Sequence, residues 1–294
     1  MERRAYYRKK GLPWLLIGPQ LLLVLVFFYW PTSQALYWAF TLEQPWGGGN
    51  SWVGWDNFAQ IFQDTEYWAT VLRSAFYACC TTLLSMFMAL TLAVFVDRQL
   101  KGTSLFKPVY VWTYAIAAPA AGVAFRFIFA PEAGLVGALN DIWPGVWNPA
   151  INGWQALAMI IVCHAWLGIG YNFIFFLAGL QMIPRSINEA GAMDGARPWQ
   201  RMFDLQLPLI APTVFFLLII NLISSFTDSF GLIDTMTEGG PYGSTEVMVY
   251  KIYFDGFKGL DYSGAAAQSI VLMLLVIGLT FVQFRFVEKR VHYN

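Results

Sequence analysis

The sequence predicts an all-α membrane protein with six transmembrane helices, both termini in the cytoplasm, and a cytoplasmic loop of two short helices between spans four and five. The chain is 57% hydrophobic and 12% charged, whereas a soluble domain carries about 25% charged residues. It also contains apolar runs long enough to cross a bilayer, and its basic residues fall on alternate links. All 294 residues are therefore assigned to one transmembrane domain, 1–294.

Six segments satisfy the length requirement, since a helix needs about 20 mainly apolar residues to span the hydrocarbon core. They are approximately Leu12–Trp30, Val71–Val96, Tyr110–Phe129, Trp154–Met182, Leu209–Ile233 and Ala265–Phe286. The first is too long for the apolar region of a signal peptide and lacks a small-residue cleavage site after it, so we predict a retained helix. Pro119 is predicted to kink the third span.

The distribution of basic residues gives the orientation. Of the 18 Lys and Arg residues, 14 lie in the two terminal segments, in the link between spans two and three, and in the link between spans four and five. The other three links hold only Lys251 and Lys258, together with eleven acidic residues. Because cytoplasmic loops are enriched in Lys and Arg, both termini and the link at 184–207 are predicted to be cytoplasmic.

Several classes of chemistry are excluded by what the sequence lacks. There is no G-x-x-x-x-G-K-[ST] motif for nucleotide binding and no H-E-x-x-H motif for zinc. Cys79 and Cys80 are adjacent and Cys163 is isolated, which is neither a disulfide framework nor metal-ligand spacing. With His164 and His292 as the only histidines, we predict no catalytic residue, no metal site and no cofactor bound by this chain.

The link between spans four and five has more predicted structure than a connector needs. Ser186 and Glu189 have the spacing of a capping box at the start of a short helix. Asp194-Gly195 predicts the turn that ends this helix, and Pro198 suits the first turn of a second one, which Pro208 ends. On physical grounds alone, this link is either a docking surface or an ordinary amphipathic loop.

Polar side chains also form stripes inside the spans. Residues at i, i+4, i+7 and i+8 share one helix face, and spans four and five each show this spacing, with Tyr114 on span three. The stripe residues are His164, Gly168, Tyr171, Asn172, Asn221, Ser225, Asp228 and Ser229. They indicate either a polar pathway or interhelical hydrogen bonds. Arg126 and His164 are the candidate cations within spans three to five.

The polar link resembles the EAA loop of ABC importer permeases. The matching residues are Glu189-Ala190-Gly191, Asp194-Gly195-Ala196 and Gln206-Leu207-Pro208, and the carbohydrate-importer branch is indicated by Gly239-Gly240-Pro241. The C-terminal part, including Gln283-Phe284-Arg285, is especially similar to the first permease subunit of glycerol-3-phosphate importers. Gly191 stands where the family usually has Ala, and Leu205 where it usually has Ile.

This resemblance implies a permease subunit of a binding-protein-dependent importer in the bacterial cytoplasmic membrane, with glycerol 3-phosphate or a glycerophosphodiester as substrate. The implied partners are a second homologous permease, two ATPase subunits that use ATP and Mg, and an extracytoplasmic binding protein. The implied ATPase-coupling positions are Glu189, Ala190, Gly191, Asp194 and Gly195. Spans three to five would line the substrate pathway, and the family pattern adds Leu167 and Phe226 to it.

Three alternatives remain open. One is an ABC importer permease for a sugar or polyol, and the second is a self-contained secondary transporter or channel. The third is a membrane enzyme, which needs His or carboxylate residues clustered at one depth. The second predicts ionisable residues at mid-span, but Arg126 and Asp228 both fall near span boundaries.

Overall fold

The computed structural model describes residues 11–43, 49–97 and 110–287, and this part of the chain is mostly helical. It forms two compact units. One contains the described residues of Met1–Asp64 together with Ile252–Val271, and the other contains those of Thr65–Lys251 and Leu272–Asn294. The basic terminal segments and most of the link between spans two and three lie outside the described residues.

The first unit begins with an exposed apolar helix that is longer than the sequence predicts. Helix α1 covers Gly11–Val24 and continues through a π-helical turn, Leu25–Tyr29, into α2, Trp30–Ala39. The predicted end at Trp30 is therefore wrong. Pro31 lies in the first turn of α2 directly after the π-helical turn, and such a turn accommodates the backbone hydrogen bond that proline cannot donate.

A small aromatic-rich motif follows in the same unit. Strand β1, Thr41–Glu43, pairs antiparallel with β2, Asn50–Trp52, and α3 covers Asp56–Gln63. The buried Asn57 amide donates to the carbonyls of Ala39 and Thr41, at 2.9 and 3.0 Å. These bonds satisfy backbone groups at the end of α2 that the helix itself leaves unpaired.

The second unit is built around two long helices, α4 at Thr65–Asp97 and α7 at Gly153–Met182. Between them lie α5, Ala118–Ile128, and the short α6, Leu139–Ile142. Small residues allow close helix packing in membranes, and α4 buries a row of them that includes Ala78, Ala89 and Ala93, each 0% exposed. Their spacings of 11 and 4 residues, about three turns and one turn, place them on one face of α4.

Span three is a broken helix. A 3₁₀ turn covers Thr113–Ala115, Ala117 is extended with φ −63° and ψ 136°, and α5 begins at Ala118. The prediction of one continuous span over Tyr110–Phe129 is therefore wrong. Pro119 occupies the first turn of α5, where its missing N–H costs nothing, and an uninterrupted helix through this position would lose a hydrogen bond.

Span five is interrupted as well. Helix α8 covers Arg185–Met193, and the second helix of the link is formed by α9, Pro198–Gln200, a π-helical turn, Arg201–Gln206, and α10, Leu207–Leu209. The chain then bends by 77° into α11, Ala211–Thr227. Helix α12, Phe230–Met236, follows after a break at Asp228 and Ser229, so the predicted Leu209–Ile233 span is not a single helix.

The remaining helices are α13 at Met248–Tyr253 and α14 at Tyr262–Val287, with a π-helical turn, Phe254–Lys258, between them. Within the described residues, four helices are long and apolar enough to cross a membrane: Pro13–Ala39, Thr65–Asp97, Gly153–Met182 and Tyr262–Arg285. Counting the bent pair through α11 as one span gives five, and Ala118–Ile128 is a shorter apolar helix.

Candidate functional site

A cavity of about 400 Å³ opens in the second unit among α4, α7, α11 and the broken span three. Its volume is within the range of small-molecule sites, about 300–1,000 Å³. Its lining residues are Thr81, Ser85, Thr113, Tyr114, Ile116, Ala118, His164, Leu167, Gly168, Tyr171, Ile220, Asn221, Ser224, Ser225, Asp228 and Leu232. We refer to it as the central cavity.

The central cavity brings together eight of the eleven pathway residues named from the sequence. They are Tyr114, His164, Leu167, Gly168, Tyr171, Asn221, Ser225 and Asp228. The other three, Asn172, Phe226 and Ser229, are 0%, 5% and 0% exposed and are not among its lining residues. The polar stripes on spans four and five therefore both face the central cavity. Asn172 on span four and Ser229 on span five are the exceptions, because they are buried in packing contacts.

Asn172 connects three helices behind the cavity wall. Its Nδ2 donates to the Ser85 hydroxyl on α4 at 2.8 Å and to Asn221 Oδ1 on α11 at 3.0 Å. Asn221 Nδ2 in turn donates to Asn172 Oδ1 and to the Leu217 carbonyl, each at 2.7 Å. These reciprocal bonds fix the orientation of Asn221, a lining residue, and hold α4, α7 and α11 together.

His164 is oriented by a neighbour that the sequence argument did not name. The buried Tyr77 hydroxyl on α4 and the His164 Nδ1 share a hydrogen bond. With Nδ1 engaged, Nε2 is the ring nitrogen available to the central cavity, which His164 lines.

Helix α4 supplies hydroxyl groups that the sequence argument missed. Thr81 and Ser85 line the central cavity from one face of α4 and are 3% and 1% exposed. The Thr81 Oγ1 is buried and lies beside the Tyr77 hydroxyl. The i, i+4 spacing of these two polar residues inside an apolar run was the available signal, and Ser224 beside Ser225 was a second one.

The charges of the site are unevenly placed. Asp228 is the one carboxylate that lines the central cavity, and none of the described lysines or arginines lines it. Arg126 instead lines a separate cavity of about 410 Å³ together with Glu238, and its Nη1 donates to the Thr235 carbonyl at 3.4 Å. The two cations considered from the sequence are therefore separated, with only His164 in the central cavity.

The link between spans four and five folds as two short helices in contact, which we call the helical loop, 184–207. Its two helices are joined by a side-chain bond from Gln206 Nε2 to Asn188 Oδ1 at 3.0 Å and by a bond from Arg201 Nη1 to the Asn188 carbonyl at 3.3 Å. Gly195 ends α8 with φ +79°, a left-handed conformation that favours glycine. The predicted turn at Asp194-Gly195 is thus present.

The predicted capping box is not formed. Helix α8 already begins at Arg185 and its N-cap is Pro184, without a side-chain cap bond. Ser186 therefore lies inside the first turn, because the extended backbone of Pro184 sets the helix start two residues earlier than the pattern requires. A capping box pairs the side chain of the third helical residue with the N-cap N–H, which is the role predicted for Glu189. Such a bond forms in the second helix, where the Arg197 N–H donates to Gln200 Oε1 at 2.8 Å.

The two departures from the family pattern touch each other. Gly191 is buried in the helical loop, and a Cβ at this position would lie 2.7 Å from Leu205 Cδ1. The long Leu205 side chain thus occupies the space that an alanine methyl at 191 would need. The pair is complementary, since the smaller residue on α8 accommodates the differently branched residue on the second helix.

The outer face of the helical loop is exposed and partly apolar. Of the five coupling positions predicted from the sequence, Glu189, Ala190, Asp194 and Gly195 are exposed, whereas Gly191 is buried. Three large apolar side chains of the loop, Met193, Trp199 and Phe203, are 87%, 57% and 53% exposed. An exposed apolar surface bordered by polar residues is typical of a protein interface.

Metal chemistry has no support in the described residues, which contain no group of three His, Cys, Asp or Glu side chains able to hold an ion. The three cysteines are not paired with one another in a disulfide.

Comparison with known proteins places these features in a family. Residues 67–293 match the family described as "Binding-protein-dependent transport system inner membrane component". The chain is 44% identical over 292 residues to the sn-glycerol-3-phosphate transport system permease protein UgpA of Rhizobium meliloti, covering 99% of this chain and 100% of that protein. It is 43% identical to the UgpA protein of Brucella abortus, with the same coverage.

Solved structures share the fold. A bacterial ABC transporter involved in the import of the acidic polysaccharide alginate matches with a TM-score of 0.77 at 23% identity, covering 93% of this chain and 96% of that chain. The alginate transporter in complex with a periplasmic protein bound to alginate pentasaccharide gives 0.80 at 20% identity, with 95% and 94% covered. The MetNI methionine ABC transporter gives 0.51 at 17% identity, with 76% and 95% covered.

Proposed function

Because this chain belongs to the family of inner membrane components of binding-protein-dependent transport systems, we propose that it is the permease subunit of an ABC importer for sn-glycerol 3-phosphate or glycerophosphodiesters. The observation that carries the substrate is the full-length identity of 44% to a permease named for sn-glycerol 3-phosphate. The family is one of transport components rather than enzymes, and it resides in the inner membrane.

The proposed topology has six spans with both termini in the cytoplasm. Four long apolar helices support four of the crossings, and α11, the 17-residue apolar part of the bent pair, supports a fifth. The sixth crossing is assigned to the broken span three, whose helix α5 is apolar but short. Non-helical backbone at membrane depth is tolerated where it lines a cavity, and Thr113 and Tyr114 in the broken part line the central cavity.

The helical loop is the proposed contact with the ATPase subunits. Its exposed coupling positions, Glu189, Ala190, Asp194 and Gly195, form the docking surface with the apolar Met193. Gly191 contributes from inside by letting the two helices approach. Since the chain continues from this loop through the 77° bend into α11, movement of the docked loop reaches a helix that lines the central cavity.

The working assembly contains this chain, a second homologous permease, two ATPase subunits and an extracytoplasmic binding protein. ATP and Mg are used by the ATPase subunits, and this chain binds no cofactor. The alginate transporter, which shares the fold, is known in complex with a periplasmic protein. ATP binding brings the ATPase subunits together, the helical loop transmits the motion, and the central cavity changes from inward-facing to outward-facing to receive substrate from the binding protein.

A second candidate substrate class is a sugar or polyol. The observation that favours it is the lining of the central cavity, which offers hydroxyl and amide groups together with Asp228 but no lysine or arginine from the described residues. Hydroxyl-rich ligands are bound by such groups, so the substrate must be tested directly.

The experiment is binding-protein-dependent stimulation of ATPase activity in the reconstituted assembly, measured with a panel of glycerol phosphates, glycerophosphodiesters, sugars and polyols. Stimulation by the glycerol phosphates supports the proposal, and stimulation by sugars or polyols alone contradicts the substrate. Replacing Glu189 and Gly195 together with tryptophan is expected to abolish stimulation, while the exposed control Glu132→Trp retains it. Full stimulation in the double variant contradicts the proposed coupling surface.

A further inference from the structure

We propose that the central cavity binds the hydroxyl-bearing end of its substrate and that the phosphate end points away from this chain. The inference rests on the proposed function and assigns an orientation to the substrate within it. Asp228 and the hydroxyl groups of α4 are the specificity determinants, and Thr81 is the most informative of them.

The wall of the central cavity is built to pair with hydroxyl groups. Threonine and serine hydroxyls both donate and accept, and amides do so through separate atoms. These groups come from three directions, with Thr81 and Ser85 on α4, Thr113 in the broken span three, and Ser224 on α11. A ligand with two neighbouring hydroxyls can exchange hydrogen bonds with such a surface from several sides.

Thr81 adds a buried hydroxyl to this wall. The residue is 3% exposed and lines the cavity. Its hydroxyl lies beside that of Tyr77, and because a hydroxyl both donates and accepts, it retains capacity for a second hydrogen bond. A ligand hydroxyl in the central cavity would use this capacity.

Asp228 provides the strongest acceptor. Its Oδ1 accepts a hydrogen bond from the Thr227 hydroxyl at 3.0 Å, and the residue lies at the end of α11, where it lines the cavity. An ionised carboxylate has about four acceptor positions, so Asp228 retains capacity for ligand hydroxyls. Hydrogen bonds to an ionised group are stronger than neutral ones.

The same carboxylate excludes the phosphate from this wall. Asp228 is exposed, and a second anion placed close to its carboxylate is repelled, while the described lining residues include no lysine or arginine to compensate. Arg126 does not relieve this, because it lines the separate cavity with Glu238. His164 also lines this wall, but its Nδ1 is bonded to the Tyr77 hydroxyl, so the permanent positive charge that meets the phosphate is supplied from outside the described wall of this chain.

The test changes one side chain of the cavity and one group of the ligand in turn, and it measures uptake into proteoliposomes that contain the complete transporter. Uptake of sn-glycerol 3-phosphate is compared with uptake of 2-hydroxypropyl phosphate and 3-hydroxypropyl phosphate, each of which lacks one hydroxyl. The wild type is expected to favour glycerol 3-phosphate over at least one of them. Asp228→Asn is expected to reduce this preference by about tenfold, the size of one charged hydrogen bond. Because all variants use the same binding protein, its own selectivity cancels in the ratio of variant to wild type.

A second comparison separates hydroxyl recognition from charge recognition. The ratio of uptake between glycerol 3-phosphate and its phosphate methyl ester, which carries one charge less, is expected to stay unchanged in Asp228→Asn. Thr81→Val is expected to lower the hydroxyl preference, whereas Thr82→Val is expected to leave it intact. Thr82 is the matched control, since it is equally buried on the same helix but does not line the cavity. Binding-protein-stimulated ATPase activity reports whether each variant has assembled.

The outcomes distinguish the proposed orientation of the substrate from the proposed function of the protein. Normal uptake of glycerol 3-phosphate with an unchanged hydroxyl preference in Asp228→Asn overturns the orientation alone, and so does a wild type without any hydroxyl preference. A change in the charge ratio instead of the hydroxyl ratio also overturns it, because Asp228 would then face the phosphate. Failure of the wild type to take up glycerol 3-phosphate overturns the proposed function and the orientation with it.

Discussion

At the scale of single residues, the buried amide of Asn172 has the largest structural consequence. It is 0% exposed and bonds to Ser85 and Asn221, so it contributes to all three helices that surround the central cavity. Polar groups between membrane helices stabilise their association, with typical contributions below about 2 kcal/mol per bond. The network sets the position of Asn221 in the cavity wall.

We expect Asn172→Ala to lower the free energy of unfolding by about 1–3 kcal/mol, because Asn221 and Ser85 lose partners in a buried environment. The measurement is denaturant titration of the permease in detergent. Thr91→Ala is the matched control, since Thr91 is exposed and bonds only to the Phe87 carbonyl of its own helix. If both variants lose equally little stability, Asn172 does not hold the three helices together.

Most of the cavity-lining residues on spans four and five could be predicted, because four polar residues at helical spacing in an apolar helix must share a face. Which edge of that face reaches the cavity could not be predicted. Asn172 and Ser229 continue the stripes but are buried in packing contacts, which depends on the neighbouring helices. Thr81 and Ser85 were missed because isolated small polar residues are also common in plain helix–helix interfaces.

At the scale of elements, the helical loop shows that two sequence departures form one structural change. Glycine within a helix costs about 0.5–1 kcal/mol relative to alanine, but at position 191 it makes room for Leu205. Taken alone, each departure from the family pattern would be expected to weaken the loop, whereas the two together keep its helices in contact.

We expect Gly191→Ala alone to destabilise the loop by about 1 kcal/mol, since overpacking outweighs the gain in helix propensity. Combining it with Leu205→Ile is expected to recover this loss, so the two changes are non-additive by about 1 kcal/mol. The thermal midpoint in detergent measures the effect. Gly278→Ala combined with Leu205→Ile serves as control, because nothing lies within 4 Å of a Cβ at Gly278. Additive behaviour of the 191–205 pair contradicts the contact.

Prolines lie at three places where the helix boundaries of the structure differ from those predicted from the sequence. Pro184 is the N-cap of α8, two residues before the predicted N-cap Ser186, and Pro119 lies in the first turn of a new helix instead of kinking a continuous one. The first helix continues through Pro31 without a break, because a π-helical turn precedes this residue. A proline in a sequence marks a place where the helix must adjust, but tertiary packing decides whether it kinks, breaks or continues.

At the scale of the whole molecule, the apolar composition predicted the membrane class, and the charge distribution predicted the orientation. The structure offers four to five long apolar crossings in its described residues, with span three in pieces. The six-span topology therefore depends on the short α5 crossing the membrane together with the broken segment before it. The basic tails that support the orientation lie outside the described residues.

This topology predicts opposite accessibility for two exposed positions. In a variant whose native Cys79, Cys80 and Cys163 are replaced by serine or alanine, Met193→Cys is expected to react with a membrane-impermeant maleimide only in inside-out vesicles. Glu132→Cys is expected to react only in right-side-out vesicles. Labelling of both positions from the same side contradicts the six-span arrangement.

The most direct test of the central claim is uptake of radiolabelled sn-glycerol 3-phosphate into proteoliposomes that contain this chain, the second permease and the ATPase subunits. With ATP and the ATPase subunits on one side of the membrane and the binding protein on the other, we expect accumulation that stops when ATP, the binding protein or the ATPase subunits are omitted. Accumulation that persists without the ATPase subunits would contradict the account.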